Sequence, residues 1–159
     1  MTKINSGGTT ANYTGNILEK FIESRLVEQG YELIIKNNFN PAICLKQTIY
    51  TRQFCLGKSI YGTSFYSDFI LFHPQKWPDC LVIESKWQQS GGSVDEKYPY
   101  TVLNMKQHSA YKSILLLDGG GYKPGAEIWL RQQVDDKLLH VFNMVQFQIW
   151  CNKRKSVDS

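Results

Sequence analysis

Two acidic residues and a lysine lie where two neighbouring predicted strands end. Asp68 opens the apolar segment DFILFH, and Glu84 and Lys86 close the segment CLVIESKW. Side chains alternate along a strand, so Glu84 and Lys86 share one face and Ser85 lies on the other. Carboxylates that meet on one face are unfavourable unless a cation lies between them. Mg²⁺ prefers such oxygen ligands, the backbone carbonyl of Ser85 could add a third oxygen, and Lys86 would lie beside a metal-bound water.

The register of the hairpin decides whether Asp68 shares the face of Glu84. A five-residue loop at 74–78 sets Asp68 opposite Glu84, and a five-residue loop at 75–79 sets it opposite Lys86, in both cases on the same face. A six-residue loop turns Asp68 to the other face unless a bulge intervenes. The sequence therefore allows the carboxylate pair without forcing it.

The elements that must position these residues follow from the spacing of apolar side chains. Helices are predicted over 15–29, 99–111, 124–134 and 144–150, and strands over 31–36, 43–54, 68–73, 80–87, 113–117 and 138–142. The continuous apolar run 113–117 is typical of a central strand buried on both faces. Together these elements predict an α/β fold, a single domain with a central mixed β-sheet flanked by helices. We expect the domain to span 15–152, with a flexible N-terminal arm at 1–14 and a basic, polar tail at 153–159.

The composition is that of one globular domain and leaves its partner open. The chain has 159 residues, of which 42% are hydrophobic and 13% aromatic, which is enough to bury a core and argues against disorder. The net charge of +4 suits a polyanion without establishing one. No segment reaches the roughly 20 apolar residues of a membrane span, and the polar N-terminus lacks the apolar middle of a signal peptide. We therefore expect a cytoplasmic protein with no membrane partner, and the scattered cysteines predict free thiols rather than a zinc site.

The arrangement of Asp68 and the run Glu84-Ser85-Lys86 resembles the motif of the PD-(D/E)xK nuclease superfamily. The order of elements is also similar, with a helix that carries an acidic residue, a hairpin that carries the motif, then a helix and a further strand. The resemblance implies a Mg²⁺-dependent DNA endonuclease, with Mn²⁺ as a substitute. It implies that Asp68, Glu84 and the Ser85 carbonyl bind the metal and that Lys86 acts on the attacking water. It also implies that Glu19, on the first helix, supports the metal site.

Three choices follow from this resemblance. Glu19 borders the apolar stripe of its helix, whereas Glu23 points further out and is the second choice. The proline that usually precedes the first aspartate of the motif is Ser67 here. A literal Pro-Asp occurs at 78–79, but it lies in the predicted turn and too near Glu84 to reach across the hairpin. The alternative without chemistry is a solvated Glu–Lys pair at a strand end, although a carboxylate that ends an apolar run favours a functional site.

The resemblance favours restriction-type cleavage of duplex DNA, with a homing endonuclease or a repair or junction-resolving nuclease as alternatives. Cutting both strands with one active site per chain implies a homodimer or a higher homo-oligomer. The alternatives of another class are a non-catalytic DNA-binding module on the same fold and a protein-interaction subunit. The candidate DNA contacts are Gln88, Lys97, Tyr100, Gln107, Lys46, Arg52, Lys58 and Lys123.

Overall fold

A mixed sheet and its covering helices make up most of the fold. The computed structural model describes the backbone of residues 6–157 and the side chains of residues 17–92 and 94–154. The helices are α1 (Ser6–Glu28), α2 (Phe39–Cys44), α3 (Tyr98–Leu103), α4 (Pro124–Gln132) and α5 (Met144–Val157). The strands are β1 (Glu32–Leu33), β2 (Ile49–Arg52), β3 (Cys55–Lys58), β4 (Ser64–Tyr66), β5 (Phe69–His73), β6 (Trp77–Trp87), β7 (Lys112–Asp118) and β8 (Leu138–Phe142). A π-helical turn, Asn104–His108, continues α3.

Six strands form the main sheet, in the order β1-β2-β5-β6-β7-β8. The β2-β5-β6 part is antiparallel, whereas β1 pairs in parallel with β2, and β6, β7 and β8 are parallel to one another. Strands β3 and β4 form a separate two-stranded hairpin. Helices α1 and α5 cover one face of the main sheet, and α2, α3 and α4 cover the other. The predicted α/β domain with a central mixed sheet is thereby confirmed, and no helix among the described residues is long and apolar enough to cross a membrane.

Strand β7 is buried on both faces, as its apolar run predicts. Ile114 and Leu116 pack in the cluster that contains α1, whereas Leu115 and Leu117 pack in the cluster that contains α3. All four side chains are fully buried. Strand β6 lies between β5 and this buried strand. The end of β6, which carries the candidate motif, therefore lies in the middle of the sheet.

The segment before β5 differs from its prediction. In place of one strand over 43–54, the structure has α2 and the four-residue strand β2, because Phe39 and Ala42 bury themselves on one side of a short helix. Strand β1 has two residues where 31–36 was predicted. No helix or strand is predicted between 54 and 68, where the structure has the β3–β4 hairpin, in which Gly57 and Gly62 adopt positive φ angles of 121° and 75°.

Both ends of the described chain are helical beyond the predicted domain. Helix α1 begins at Ser6, so residues 6–14 of the predicted arm are helical, while residues 1–5 lie outside the described residues. No proline interrupts this stretch, and extending a helix that packing has already nucleated costs little. Helix α5 continues to Val157, into the predicted tail, because Arg154 lies over the rings of Trp77 and Trp150 at 4.5 and 4.4 Å.

The turn after β7 depends on glycine at a close backbone approach. A Cβ atom at Gly121 would lie 2.3 Å from the carbonyl carbon of Gln89. We expect Gly121→Ala to lower the free energy of unfolding by about 1–3 kcal/mol, because the backbone atoms that it meets cannot move aside. Gly125→Ala is the matched control, since a Cβ there meets nothing within 4 Å and alanine favours the helix. Urea unfolding measures both, and equal midpoints for the two variants would contradict the expectation.

Candidate active site

The register of the β5–β6 hairpin places Asp68 beside Glu84. Phe69 pairs with Ile83, so the next residue outward on each strand sets Asp68 opposite Glu84. This is one of the two registers that the sequence allows, but it arises differently. His73 pairs with Trp77 rather than with Asp79, and the register shifts between Leu71 and His73. Cys80, whose φ is 65°, lies in the irregular part of β6 and marks the bulge that restores the alignment.

Asp68 and Glu84 are joined by hydrogen bonds that fix the geometry of the pair. The backbone N–H of Asp68 donates to Glu84 Oε1 at 3.2 Å. Asp68 Oδ2 accepts from the backbone N–H of Ser85 at 2.8 Å and from its hydroxyl at 3.2 Å. One oxygen of each carboxylate therefore accepts a hydrogen bond from the neighbouring strand. These hydrogen bonds restrict the rotamers of both side chains.

Glu84 is a buried acid next to another acid. Its side chain is almost completely removed from solvent. Burial, followed by the charge of Asp68, raises the pKa of Glu84 well above its usual value, and the charge of Lys86 opposes this only in part. The carboxyl pair therefore favours the uptake of a proton or of a cation, which is the electrostatic character of a metal-binding carboxylate pair.

The backbone carbonyl of Ser85 is directed to the same side as the Asp68 carboxylate. In a strand, the N–H and C=O of one residue point to the same neighbouring strand, and the N–H of Ser85 points to Asp68. The residue that the register sets opposite Ser85 is Ser67, and its N–H donates to the carbonyl of Phe54 at 2.9 Å instead. The hydrogen bonds between β5 and β6 therefore end at this position, and the Ser67 N–H does not occupy the carbonyl of Ser85. This carbonyl is thus placed to act as an additional oxygen ligand.

These donors fit a hard divalent cation that retains part of its water shell. Among the described residues, no group of three or more His, Cys, Asp or Glu side chains is arranged to hold a metal ion. The donor set is two carboxylates and one carbonyl, all oxygen, and Mg²⁺ is commonly bound by one or two carboxylates together with waters. The residues present therefore fit Mg²⁺ better than a metal that requires nitrogen or sulfur ligands.

Glu19 and Glu23 belong to a second acidic cluster that has its own cation. The guanidinium of Arg52 binds Glu19 and also Glu23, the latter at 3.0 Å, and Tyr50 donates its hydroxyl to Glu23 at 2.9 Å. Arg52 pairs with Phe69 and lies over its ring at 5.1 Å, so the cluster is one residue away from Asp68 along β5. The structure thus places Glu19 at the same end of the sheet as Asp68, with its carboxylate bound to Arg52.

Two of the predicted DNA contacts, Arg52 and Gln88, have side chains that are bound within the protein. The Arg52 guanidinium is committed to two glutamates, a long-range pairing that no local sequence pattern signals. Gln88 is buried, accepts a hydrogen bond from the Tyr98 hydroxyl at 3.0 Å and donates to the carbonyl of Gly121 at 3.4 Å. The remaining candidates are exposed or half-buried, namely Lys46, Lys58, Lys97, Tyr100, Gln107 and Lys123.

A cavity of about 110 Å³ opens beside the carboxyl pair. Glu84 and Lys86 form one wall, and the other walls come from the β3–β4 hairpin and from α3 with its π-helical turn. The wall residues from these elements are Leu56, Phe65, Tyr66, Tyr100, Thr101, Asn104 and Met105. The sequence indicated Lys58 of this hairpin as a DNA contact, but it predicted no strand between 54 and 68 and so did not indicate that the hairpin forms a wall of the site. The cavity places Lys86 and a buried acid together at a surface that a substrate can reach.

Comparison with known proteins agrees with this geometry. A family model described as a PD-(D/E)XK nuclease superfamily domain matches residues 10–155, nearly the whole chain, and confirms the resemblance that the motif indicates. Neither a curated protein nor a solved structure matches the chain.

Proposed function

Because the chain belongs to the PD-(D/E)XK nuclease superfamily, we propose that it is a Mg²⁺-dependent DNA endonuclease that hydrolyses phosphodiester bonds. The observation that carries this proposal is the buried carboxyl of Glu84 next to Asp68, with Lys86 in the wall of the same cavity. A buried acid pair without chemistry would weaken the fold, since burial of the charged form is unfavourable. A bound cation offsets this cost, because its charge stabilises the ionised form of the buried carboxyl.

We assign a separate role in the reaction to each residue of the site. Asp68, Glu84 and the carbonyl of Ser85 would hold Mg²⁺, for which Mn²⁺ can substitute. When bound, the metal supplies positive charge that polarises the phosphate and stabilises the negative charge that develops in the transition state. The ammonium group of Lys86 donates hydrogen bonds to the attacking water and to a phosphate oxygen, which orients the water for in-line attack. Glu19 is the proposed supporting acid, available when it leaves Arg52.

The biological role that we propose is restriction-type cleavage of duplex DNA in the cytoplasm by a homodimer or a higher homo-oligomer. A domain of this size has one copy of the acid pair, and two copies are needed to cut two strands at once. A homing endonuclease and a repair or junction-resolving nuclease would use the same chemistry. The DNA substrates that are cut and the fragments that result distinguish these roles from restriction-type cleavage.

The test is cleavage of DNA by the purified chain. Supercoiled plasmid and a long linear duplex are incubated with Mg²⁺, with Mn²⁺ or with EDTA, and light scattering reports the oligomeric state. We expect cleavage with either metal and none in EDTA, with discrete fragments from the linear duplex, which indicate sequence recognition. Absence of cleavage on duplex, single-stranded and branched DNA with both metals would refute the enzyme. A smear of fragments would refute the restriction-type role alone.

A further inference from the structure

Two stacked tyrosines, the exposed Tyr61 and the half-buried Tyr100, stand at the cavity that contains Glu84 and Lys86. Tyr100 lines this cavity together with both residues. The ring of Tyr61, at the tip of the β3–β4 hairpin, stacks on Tyr100 with a centroid distance of 5.3 Å and an interplanar angle of 20°. The side chain of Tyr61 is 76% exposed, so the ring face that turns away from Tyr100 is open to solvent. An aromatic face is thus displayed beside the acid pair.

The turn that carries this exposed ring is held in place. The N–H of Ile60 donates to Oδ1 of Asn104 at 2.9 Å, and Asn104 is itself buried in the π-helical turn after α3. The hydroxyls of Ser59 and Thr63 are hydrogen-bonded at 2.9 Å across the turn. A ring that is fixed before binding loses less conformational entropy when a ligand stacks on it.

The charge of the hairpin suits a polyanionic ligand. Lys58 is the only charged residue between Phe54 and Tyr66 in the sequence. It is exposed, and its ammonium group lies 3.2 Å from the hydroxyl of Ser64 on the opposite strand of the hairpin. Lys86, in the cavity wall, adds a second positive charge on the side of the acid pair. An open aromatic face near lysines is the combination that binds bases and phosphates together.

We propose that Tyr61, supported by Tyr100, is a stacking platform for an unpaired nucleobase of the DNA substrate, beside the phosphate that is cut. This inference rests on the proposed nuclease chemistry, and it favours the repair-type alternative, whose substrates can expose unpaired bases, over restriction-type cleavage of an intact duplex. A base inside a duplex is covered on both faces by its neighbours, so only a base in a single strand, at a bulge or extruded from the helix can lie on the ring. Stacking tolerates any base, so the platform selects unpaired structure rather than sequence.

The experiment measures binding without cleavage. Fluorescence anisotropy in EDTA gives Kd for a labelled single strand of about 12 nucleotides, a length within the range that single-strand sites cover, and for the blunt duplex of the same sequence. We expect Tyr61→Ala to raise Kd for the single strand roughly tenfold or more and to leave Kd for the duplex nearly unchanged. Tyr61→Phe is the matched control, because phenylalanine retains the stacking face, and its Kd values should equal those of the wild type.

The outcomes separate this inference from the nuclease proposal. Equal single-strand affinities for Tyr61→Ala and the wild type, equal losses for single strand and duplex, or no binding of the single strand by the wild type would each overturn the platform. If the wild-type protein cuts plasmid DNA but gives one of these three binding results, the platform is wrong and the nuclease proposal stands. Conversely, a tenfold loss in Tyr61→Ala in a protein that cuts no DNA supports the platform and refutes the nuclease.

Discussion

Glu84→Gln is expected to lower the rate of metal-dependent DNA cleavage by about 10³-fold or more, the scale of loss when a preorganised charge at a reacting phosphate is removed. Glutamine has nearly the same shape, and its carbonyl oxygen can still accept the hydrogen bond from the Asp68 amide, so the strand end should remain in place. What disappears is the negative charge that binds the cation. Single-turnover cleavage of saturating DNA measures the effect without interference from product release.

The same substitution should stabilise the metal-free protein. Because burial raises the pKa of Glu84, the folded state binds more protons than the unfolded state above the ordinary glutamate pKa of about 4.3. The free energy of unfolding therefore falls as pH rises from that value through the raised pKa. Glutamine removes this loss, so Tm in EDTA should exceed that of the wild type at pH 8 and approach it near pH 4. Added Mg²⁺ should raise Tm of the wild type and not of Glu84→Gln.

Asp79→Asn is the control for this substitution. Asp79 lies on the same strand, is exposed and forms the only literal Pro-Asp pair in the chain. Its loss should change neither the cleavage rate nor the Mg²⁺-dependent shift in Tm. If instead Asp79→Asn abolished cleavage while Glu84→Gln cut DNA at the wild-type rate, the site would have to be moved to the turn end of the hairpin.

The two acidic clusters at this end of the sheet differ in how their charge is balanced. Glu19 and Glu23 share the guanidinium of Arg52, a full positive charge in direct contact with both. Asp68 and Glu84 contact backbone amides and a hydroxyl, and the charge of Lys86 offsets only part of the cost of burying Glu84. The fold supplies a resident cation to the first cluster and leaves the second short of positive charge. This contrast favours the second cluster as the place where an external cation binds.

The motif could be predicted from sequence because it depends on local patterns. Period-two alternation in β6 and the apolar runs of β5 and β7 fix which side chains share a face, and these patterns lie within single segments. The bulge at Cys80 could not be predicted, because it depends on how the turn at 74–76 closes against both strands. The sequence thus indicated the acid pair and the strands that carry it, but allowed two registers.

The surroundings of the motif depend on contacts between distant segments, and these were missed. A hydrogen bond from the N–H of Ile60 to Asn104 holds the β3–β4 hairpin against the π-helical turn, and these two residues are 44 positions apart in the sequence. Arg52 was predicted to contact DNA because a basic residue among aromatics suits phosphate, whereas its partners lie on α1, about 30 residues earlier. Gln88 follows the motif directly but points to Tyr98 and Gly121 rather than to the cleft. Position near a motif did not predict orientation.

Lys86→Met should separate metal binding from catalysis. Methionine keeps the unbranched stem that lines the cavity but removes the ammonium group, so the attacking water and the phosphate lose a hydrogen-bond donor. We expect the single-turnover cleavage rate to fall by about 10²–10³-fold, the range for the loss of one preorganised hydrogen-bond donor at the reacting group. The Mg²⁺-dependent rise in Tm should persist, because Lys86 is not a metal ligand and its removal relieves repulsion between two cations.

Removing Lys86 also has a predictable effect in the absence of metal. The charge of Lys86 lowers the pKa of Glu84, so Lys86→Met should raise that pKa further and make the fall of Tm in EDTA extend to higher pH. Lys112→Met is the matched control, because Lys112 is exposed and begins β7, whereas the acid pair lies opposite the later part of that strand. Cleavage by Lys86→Met at the wild-type rate would contradict its role in the reaction. Loss of the Mg²⁺-dependent shift in Tm would instead place Lys86 among the groups that maintain the metal site, because removing a lysine that acts only on water and phosphate relieves repulsion and leaves the metal ligands in place.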